Sequence, residues 1–150
     1  MKNPCLKEAN RMSDVLTSEQ RHKCMSHIKG KNTKPELIVR SWLHRHGYRF
    51  RIQCANLPGK PDIVLKKHNL IIFVNGCYWH RHPGCKYAST PTTNVAFWEE
   101  KFCQNVARDK RNIEKLECSG WNVLVIWECQ VKNGSFEEIL ENYFVGHSRD

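Results

Sequence analysis

The chain has 150 residues, enough for one domain with a real core, and its 24 Lys and Arg against 15 Asp and Glu leave a net charge of +9. That excess favours a polyanionic partner, nucleic acid first, and no apolar run approaches the roughly 18 residues of a membrane helix. Eight cysteines without an apolar leader over residues 1–8 argue against a secreted disulfide scaffold and for reduced thiols, some of them metal ligands.

Residues 1–16 are polar and aperiodic, and are expected to form a mobile arm ahead of a single domain over 17–150. Thr17 and Gln20 have capping-box spacing and open a short helix towards Met25 and Ile28. Beyond the linker 30–32, Thr33 as N-cap, Pro35 in the first turn and Glu36 at the third position start a second helix. Leu37, Ile38, Trp42 and Leu43 are its predicted inner face, and Gly47 its stop. Tyr48, Phe50 and Ile52 alternate with Arg49 and Arg51, as in a half-buried strand. Leu57, Pro58, Gly59, Lys60 and Pro61 make a stiff turn into the apolar run 62–65. A polar turn at 66–69 and a second apolar run, 70–74, complete a predicted antiparallel hairpin buried on both faces. A long helix is predicted over 96–119 with Gly120 as its stop, then a buried strand over 121–127 and a final helix capped by Ser135 to Glu138 and ending near Phe144. This order, helix, three strands, helix, strand, helix, predicts an α/β sandwich with a mixed sheet.

The segment from Gly76 to Cys85 holds two thiols, two imidazoles and the adjacent aromatics Tyr78 and Trp79. Cys77, His82 and Cys85, or Cys77, His80 and Cys85, have spacings that suit zinc, and Cys129, expected at the end of the last strand, can supply a fourth ligand. Cys5, Cys24, Cys54, Cys103 and Cys118 are left as ordinary thiols. Asp62, behind its stiff turn, is a carboxylate on a rigid element, as divalent-metal phosphodiester cleavage requires; an Asp that merely closes a turn is the plain alternative. No second acidic ligand follows on the next strand, which ends at Val74, Asn75 and Gly76. Glu36 could serve the same metal through water, although its capping bond to Thr33 also accounts for it. Trp42, Trp121 and Trp127 fit core packing. Tyr78 and Trp79, if the loop is extended, point in opposite directions, leaving one exposed to meet a base.

Several blocks, in order over roughly residues 20–130, resemble the very-short-patch mismatch repair (Vsr) endonucleases. They are Pro58-Gly59-Lys60-Pro61-Asp62, the run from Phe73 to His80, Phe97-Trp98 with Glu100 and Lys101, Asn105-Val106 with Arg108 and Asp109, and the run from Val125 to Cys129. The resemblance implies a restriction-endonuclease-like fold, a three-layer sandwich of the PD-(D/E)xK type with a structural zinc. It implies a cytoplasmic, nucleoid-associated bacterial enzyme that acts as a monomer, with other mismatch-repair proteins as possible partners. Its reaction would be an Mg²⁺-dependent nick beside the thymine of a T:G mismatch, the product of 5-methylcytosine deamination. By position, Asp62 and the Val74 carbonyl would bind Mg²⁺, His80 would assist at the phosphate, and Glu36 would lie in the outer shell. Zinc would fall to Cys77, His82, Cys85 and Cys129. Tyr78, Trp79 and Trp98 would form a wedge at the mismatch, with Lys101 and Asn105 also facing DNA, and Met25 and Ile28 would enter from the other groove. Asn75 stands where the family often has His, and Val74 where Thr can occur. Asn can donate a hydrogen bond but cannot act as a proton donor of comparable strength. Two other readings stand beside this one: a restriction-type nuclease of matched sites, and a zinc-containing mismatch-binding module without catalysis.

Overall fold

The computed structural model describes residues 31–148 together with Thr17, Glu19 and Gln20. The expected arm over 1–16, and Met25 and Ile28, lie outside the described residues. Thr17 and Gln20 do form the reciprocal bonds of a capping box: Gln20 N–H donates to Thr17 Oγ1 at 3.2 Å and Thr17 N–H to Gln20 Oε1 at 3.0 Å.

Helix α1 spans Lys34–Arg45 behind Thr33, whose hydroxyl accepts from Glu36 N–H. Strand β1 is short, Arg51–Ile52; β2 is Ile63–Leu65 and β3 Leu70–Asn75. Helix α2 is Val95–Cys118, strand β4 Asn122–Trp127, helix α3 Glu128–Asn133 and helix α4 Ser135–Gly146. The sheet has the order β1-β2-β3-β4. The β2–β3 hairpin is antiparallel with Ile63 opposite Ile72, as the two apolar runs predict. Strand β4 pairs parallel to β3, from Leu70 opposite Asn122 to Asn75 opposite Trp127. A parallel return needs a crossover, and α2 supplies it.

Alternation along the strands splits the core in two. Ile63, Leu65, Leu70, Ile72 and Ile126 face one way, against Val39, Trp42 and Leu43 of α1, Val131 of α3, and Phe136, Leu140 and Phe144 of α4. Val64 and Ile71 face the other way, against Leu116 of α2, with Phe73, Trp121 and Val123 packed beside them. Helices therefore cover both faces of a mixed sheet, which is why β2, and β3 as far as Val74, are apolar. Burying each such Leu or Ile side chain contributes roughly 1.5–3 kcal/mol, so these two clusters hold the strands in register. Among the described residues no helix is long and apolar enough to cross a membrane.

Four details differ from the sequence expectations. On α1 the inward positions are Glu36, Val39, Trp42 and Leu43, whereas Leu37 is 51% and Ile38 36% exposed. Residues three and four apart share a helix face, so burying Glu36 with Val39 and Leu43 rotates Leu37 and Ile38 outward. Only Arg51 and Ile52 of the alternating run 48–52 join the sheet. Tyr48 and Phe50 pack against the larger core from irregular backbone. Cys129 lies on α3, which starts directly after β4, and not on the strand itself. Helix α4 starts from Gly134 in the left-handed region, without a side-chain cap; Ser135 is its first residue, and its N–H donates to Asn133 Oδ1.

Candidate active site and metal centre

The ends of β3 and β4 and the start of β2 meet at one rim of the sheet. The chain reaches it through the turn 57–60, closed by Lys60 N–H donating to the Leu57 carbonyl at 3.1 Å. Gly59 is required there: its φ is +75°, and a Cβ would lie 3.1 Å from Asn112 Cβ and 3.2 Å from Phe73 Cζ. The turn thus presses directly on α2. Pro61 is fully buried behind it, and Asp62 follows at the head of β2.

Asp62 Oδ2 accepts the backbone N–H of Val74 across the hairpin at 2.8 Å. Burial lifts the Asp62 carboxyl from 3.8 to about 6, against the opposing pull of the Val74 N–H. Glu36 nearby adds to the rise, and His80 and Arg40 oppose it. A carboxylate whose ionised form is disfavoured chiefly by desolvation gains from an adjacent cation, and hard oxygen donors suit Mg²⁺. Glu36, 4% exposed, keeps its capping geometry. Its Oε2 accepts from Asn32 N–H at 3.1 Å and from Arg40 Nη2 at 2.9 Å. Asn75 is 8% exposed at the end of β3, opposite Trp127.

His80 stands on the loop after β3, and its Nδ1 lies 2.5 Å from Asp109 Oδ2 of α2. A carboxylate partner makes Nδ1–H the donor, leaves Nε2 on the opposite edge of the ring and fixes its orientation. Asp109 falls within one of the family-like blocks, but nothing in the sequence singles it out for this role. It lies 29 residues from His80, and an Asp within a charged helix carries no local mark of such a partnership.

Cys77, His82, Cys85 and Cys129 converge so that one ligand atom from each lies within 4.8 Å of all the others. Cys77 Sγ is 3.7 Å and Cys129 Sγ 3.3 Å from His82 Nδ1. A tetrahedron with Zn–S near 2.3 Å and Zn–N near 2.0 Å has edges of about 3.5–3.8 Å, so three thiols and an imidazole fit zinc in size and softness. Their protonation fits as well. Burial lowers the His82 pKa, favouring the neutral ring a metal needs. Burial also pushes the Cys77 thiol up to about 12 and raises Cys129, so a metal would have to take up the thiolate charge. The Cys129 N–H already points at Cys77 Sγ, at 3.4 Å. His82, not His80, belongs to this group, which resolves the ambiguity left by spacing. Trp127 stacks on His82 at 4.3 Å between ring centres, so it serves the metal group more than the core.

The aromatics form a continuous wall. Tyr78 and Trp79 meet edge to face at 5.2 Å, and Trp79 lies 6.1 Å from Trp98 of α2. The expectation that Tyr78 and Trp79 point apart fails because the loop is not extended. His80 N–H donates to the Gly76 carbonyl and His82 N–H to that of Cys77, and this tight winding brings both rings to one side. Lys101 Nζ sits 5.6 Å from the Trp98 ring and 6.0 Å from that of Trp79. Asn105 Nδ2 donates to the Trp79 carbonyl at 3.3 Å, so it supports the wall from behind. Arg81 has no signal in the sequence either. It donates to the carbonyls of Tyr78, Ser89 and Ala88 and to Thr90 Oγ1, while its guanidinium lies 4.1 Å above Phe102.

An imidazole held by one carboxylate, a second carboxylate primed for a cation and a stacking wall, together on a basic chain, suit attack on a phosphodiester. The class is therefore a nuclease-type α/β protein with a Cys₃His group whose chemistry fits a metal. Comparison with known sequences narrows this. The family model described as "DNA mismatch endonuclease Vsr" matches residues 13–86. The type II nicking enzyme V.XorIIP of Xanthomonas oryzae is 43% identical over 132 residues, 87% of this chain and 96% of that protein. The type II nicking enzyme V.NmeAIP of Neisseria meningitidis is 42% identical over 81% of this chain and 86% of its own length. The DNA mismatch endonuclease Vsr of Escherichia coli is 41% identical over 141 residues, 90% of each chain. The chain belongs to the Vsr family of DNA mismatch endonucleases.

Proposed function

We propose that this endonuclease nicks one strand of duplex DNA beside the thymine of a T:G mismatch, using Mg²⁺ at Asp62. The observation that carries the reading is the convergence of Asp62, Val74 and the Asp109-held His80 on one rim, next to the aromatic wall. The carboxylate at the head of one hairpin strand, beside the end of the next, supports a PD-(D/E)xK-type core with only one direct carboxylate. Asp62 and the Val74 carbonyl would hold Mg²⁺, which when bound supplies Lewis-acid polarisation of the phosphate and a more acidic water.

The chain's own groups do the rest. His80, its Nδ1–H fixed by Asp109, presents Nε2 to the reacting phosphate and moves a proton there, an effect typically worth about 10²–10⁴-fold in rate. Asn75 donates a hydrogen bond at the same rim. Glu36, neutralised by Arg40, acts on Asp62 through the field and not by contact. The cage of Cys77, His82, Cys85 and Cys129 holds zinc as a structural brace. Tyr78, Trp79 and Trp98 press on the base step at the mismatch, where unstacking costs least. Lys101 lies on the DNA side of that wall and Asn105 holds it from behind, while Met25 and Ile28 would enter the opposite groove. The products carry a 5′-phosphate and a 3′-hydroxyl.

A labelled duplex with a single T:G pair, incubated with Mg²⁺, should be nicked in the thymine strand, and its T:A counterpart should stay intact. Asp62→Ala should abolish nicking and keep mismatch binding. Equal cutting of both duplexes would make the protein a restriction-type nuclease. Bound but uncut DNA would make it a binding module.

A further inference from the structure

We infer that the exposed flank of α2 is a track for the DNA phosphate backbone, running from the aromatic wall past the catalytic rim to the turn 57–60. Along one side of this helix, Lys101, Arg108, Arg111 and Lys115 follow at spacings of seven, three and four residues, which keeps them on a common face. All four are exposed, as is Lys60 on the turn. Among the described residues, Lys60, Lys101, Arg111 and Lys115 take part in no ion pair, and Arg108 reaches only Asp109, at 3.6 Å. Cations left uncompensated in a row differ from an ordinary solvated helix face, where i,i+4 partners of opposite sign are common.

Three contacts set where the row lies. Asn105 holds Trp79, Asp109 holds His80, and Asn112 packs on Gly59. Successive turns of α2 therefore touch the wall, the imidazole and the turn that delivers Asp62, and the basic flank runs beside all three. At the far end a groove opens between Pro58 and the helix, lined by Arg111 and Lys115, with Glu114 its only carboxylate. From Lys101 to Lys115 the helix rises roughly 21 Å, about six base-pair steps at 3.4 Å. The occupant whose length and charge match is one strand of a duplex, held through its phosphates. Such contacts fix register without reading sequence. They would lay the strand across the rim while the wall selects the mismatch.

The inference rests on the DNA-nicking reading, and salt dependence separates the two. Affinity for a T:G duplex and for its T:A counterpart is measured by fluorescence anisotropy between about 50 and 200 mM salt. In Arg111→Gln/Lys115→Gln the slope of log K against log salt should fall by about 1.8, near 0.9 for each phosphate that is no longer neutralised. Affinity should drop by the same factor on both duplexes. Lys60→Asn, a residue tolerant of the left-handed backbone at that turn (φ +48°), should lower the slope by about 0.9. Lys66→Gln/Lys67→Gln, at the opposite end of the β2–β3 hairpin, should leave the slope unchanged although the same charge is removed. A slope retained by the α2 double variant, with wild-type protein binding DNA normally, overturns the track alone. Absence of DNA binding by the wild type overturns the track together with the nicking reading.

Discussion

In the proposed mechanism, Asp62 is the residue on which the chemistry and the stability of this protein oppose each other. Its carboxyl is raised from 3.8 to about 6 by burial, so the folded state holds the proton more tightly than the unfolded chain does. The associated stability is complete below pH 3.8 and is lost as the pH rises through about 6. Above that, an ionised Asp62 opposes folding by about 2–3 kcal/mol, at 1.36 kcal/mol per pKa unit. In Mg²⁺-free buffer at pH 7.5, Asp62→Asn should therefore be more stable than wild type by about that amount. The advantage should shrink towards zero at about pH 4, and added Mg²⁺ should narrow it at pH 7.5 by stabilising only the wild type. Thermal or urea melts across this range give the comparison, and a gain that did not vary with pH would remove the electrostatic cause. The position of Asp62 was legible in the sequence, because Pro and Gly announce a stiff turn. The family resemblance also set Val74, Glu36 and His80 around it, but its burial and the approach of Arg40 come only from the tertiary fold.

Among the elements, the loop 76–91 departs furthest from what its residues suggest alone. Spacing left its imidazole ligand open between His80 and His82, and it said nothing of the path of the loop. Arg81 sits at φ +54°, and the winding of Gly76, Cys77, His80 and His82 into one tight turn accompanies the convergence of Cys77, His82, Cys85 and Cys129. Arg81 then ties residues 88–90 to Phe102 and Tyr78 through four hydrogen bonds and two ring contacts. Arg81→Ala should lower stability by about 1–3 kcal/mol and loosen the wall. Discrimination of T:G over T:A should fall more than overall DNA affinity, with the zinc content unchanged. Arg81→Lys should not rescue it, because a single ammonium cannot span those acceptors or lie flat on a ring as guanidinium does. Parallel loss of affinity for both duplexes would reduce Arg81 to a general stabiliser. Helix α1 teaches the converse. Its limits were set by Thr33, Pro35 and Gly47, yet its facing was misjudged because a buried Glu36 takes a position that counting apolar residues assigns to solvent.

For the molecule as a whole, the sheet and its two cores were legible because strands buried on both faces must be apolar throughout. The mixed pairing follows from the long helix between β3 and β4. What joins fold to site is the group formed by Cys77, His82, Cys85 and Cys129, which links the loop after β3 to α3. Elemental analysis should find about one zinc per chain. Cys129→Ala should lose the metal and unfold at a markedly lower temperature, since binding energy at such a cage is folding energy. A Cys129→Ala chain that is metal-free yet melts like wild type would show that the brace is dispensable.

Strands β3 and β4 run side by side in the same direction and finish level, with Asn75 beside Trp127. The chain leaves both strands at once, one exit leading to Cys77 and His80 and the other to Cys129. The two exits work as paired rulers with a common zero. A residue inserted between Leu70 and His82, or between Asn122 and Cys129, shifts one scale against the other and spoils cage and rim together. The stretch 91–94, beyond the residues that Arg81 holds and before α2, is bound by no such scale. Length variation that alters the reach of the wall over DNA, without touching the chemistry, belongs there.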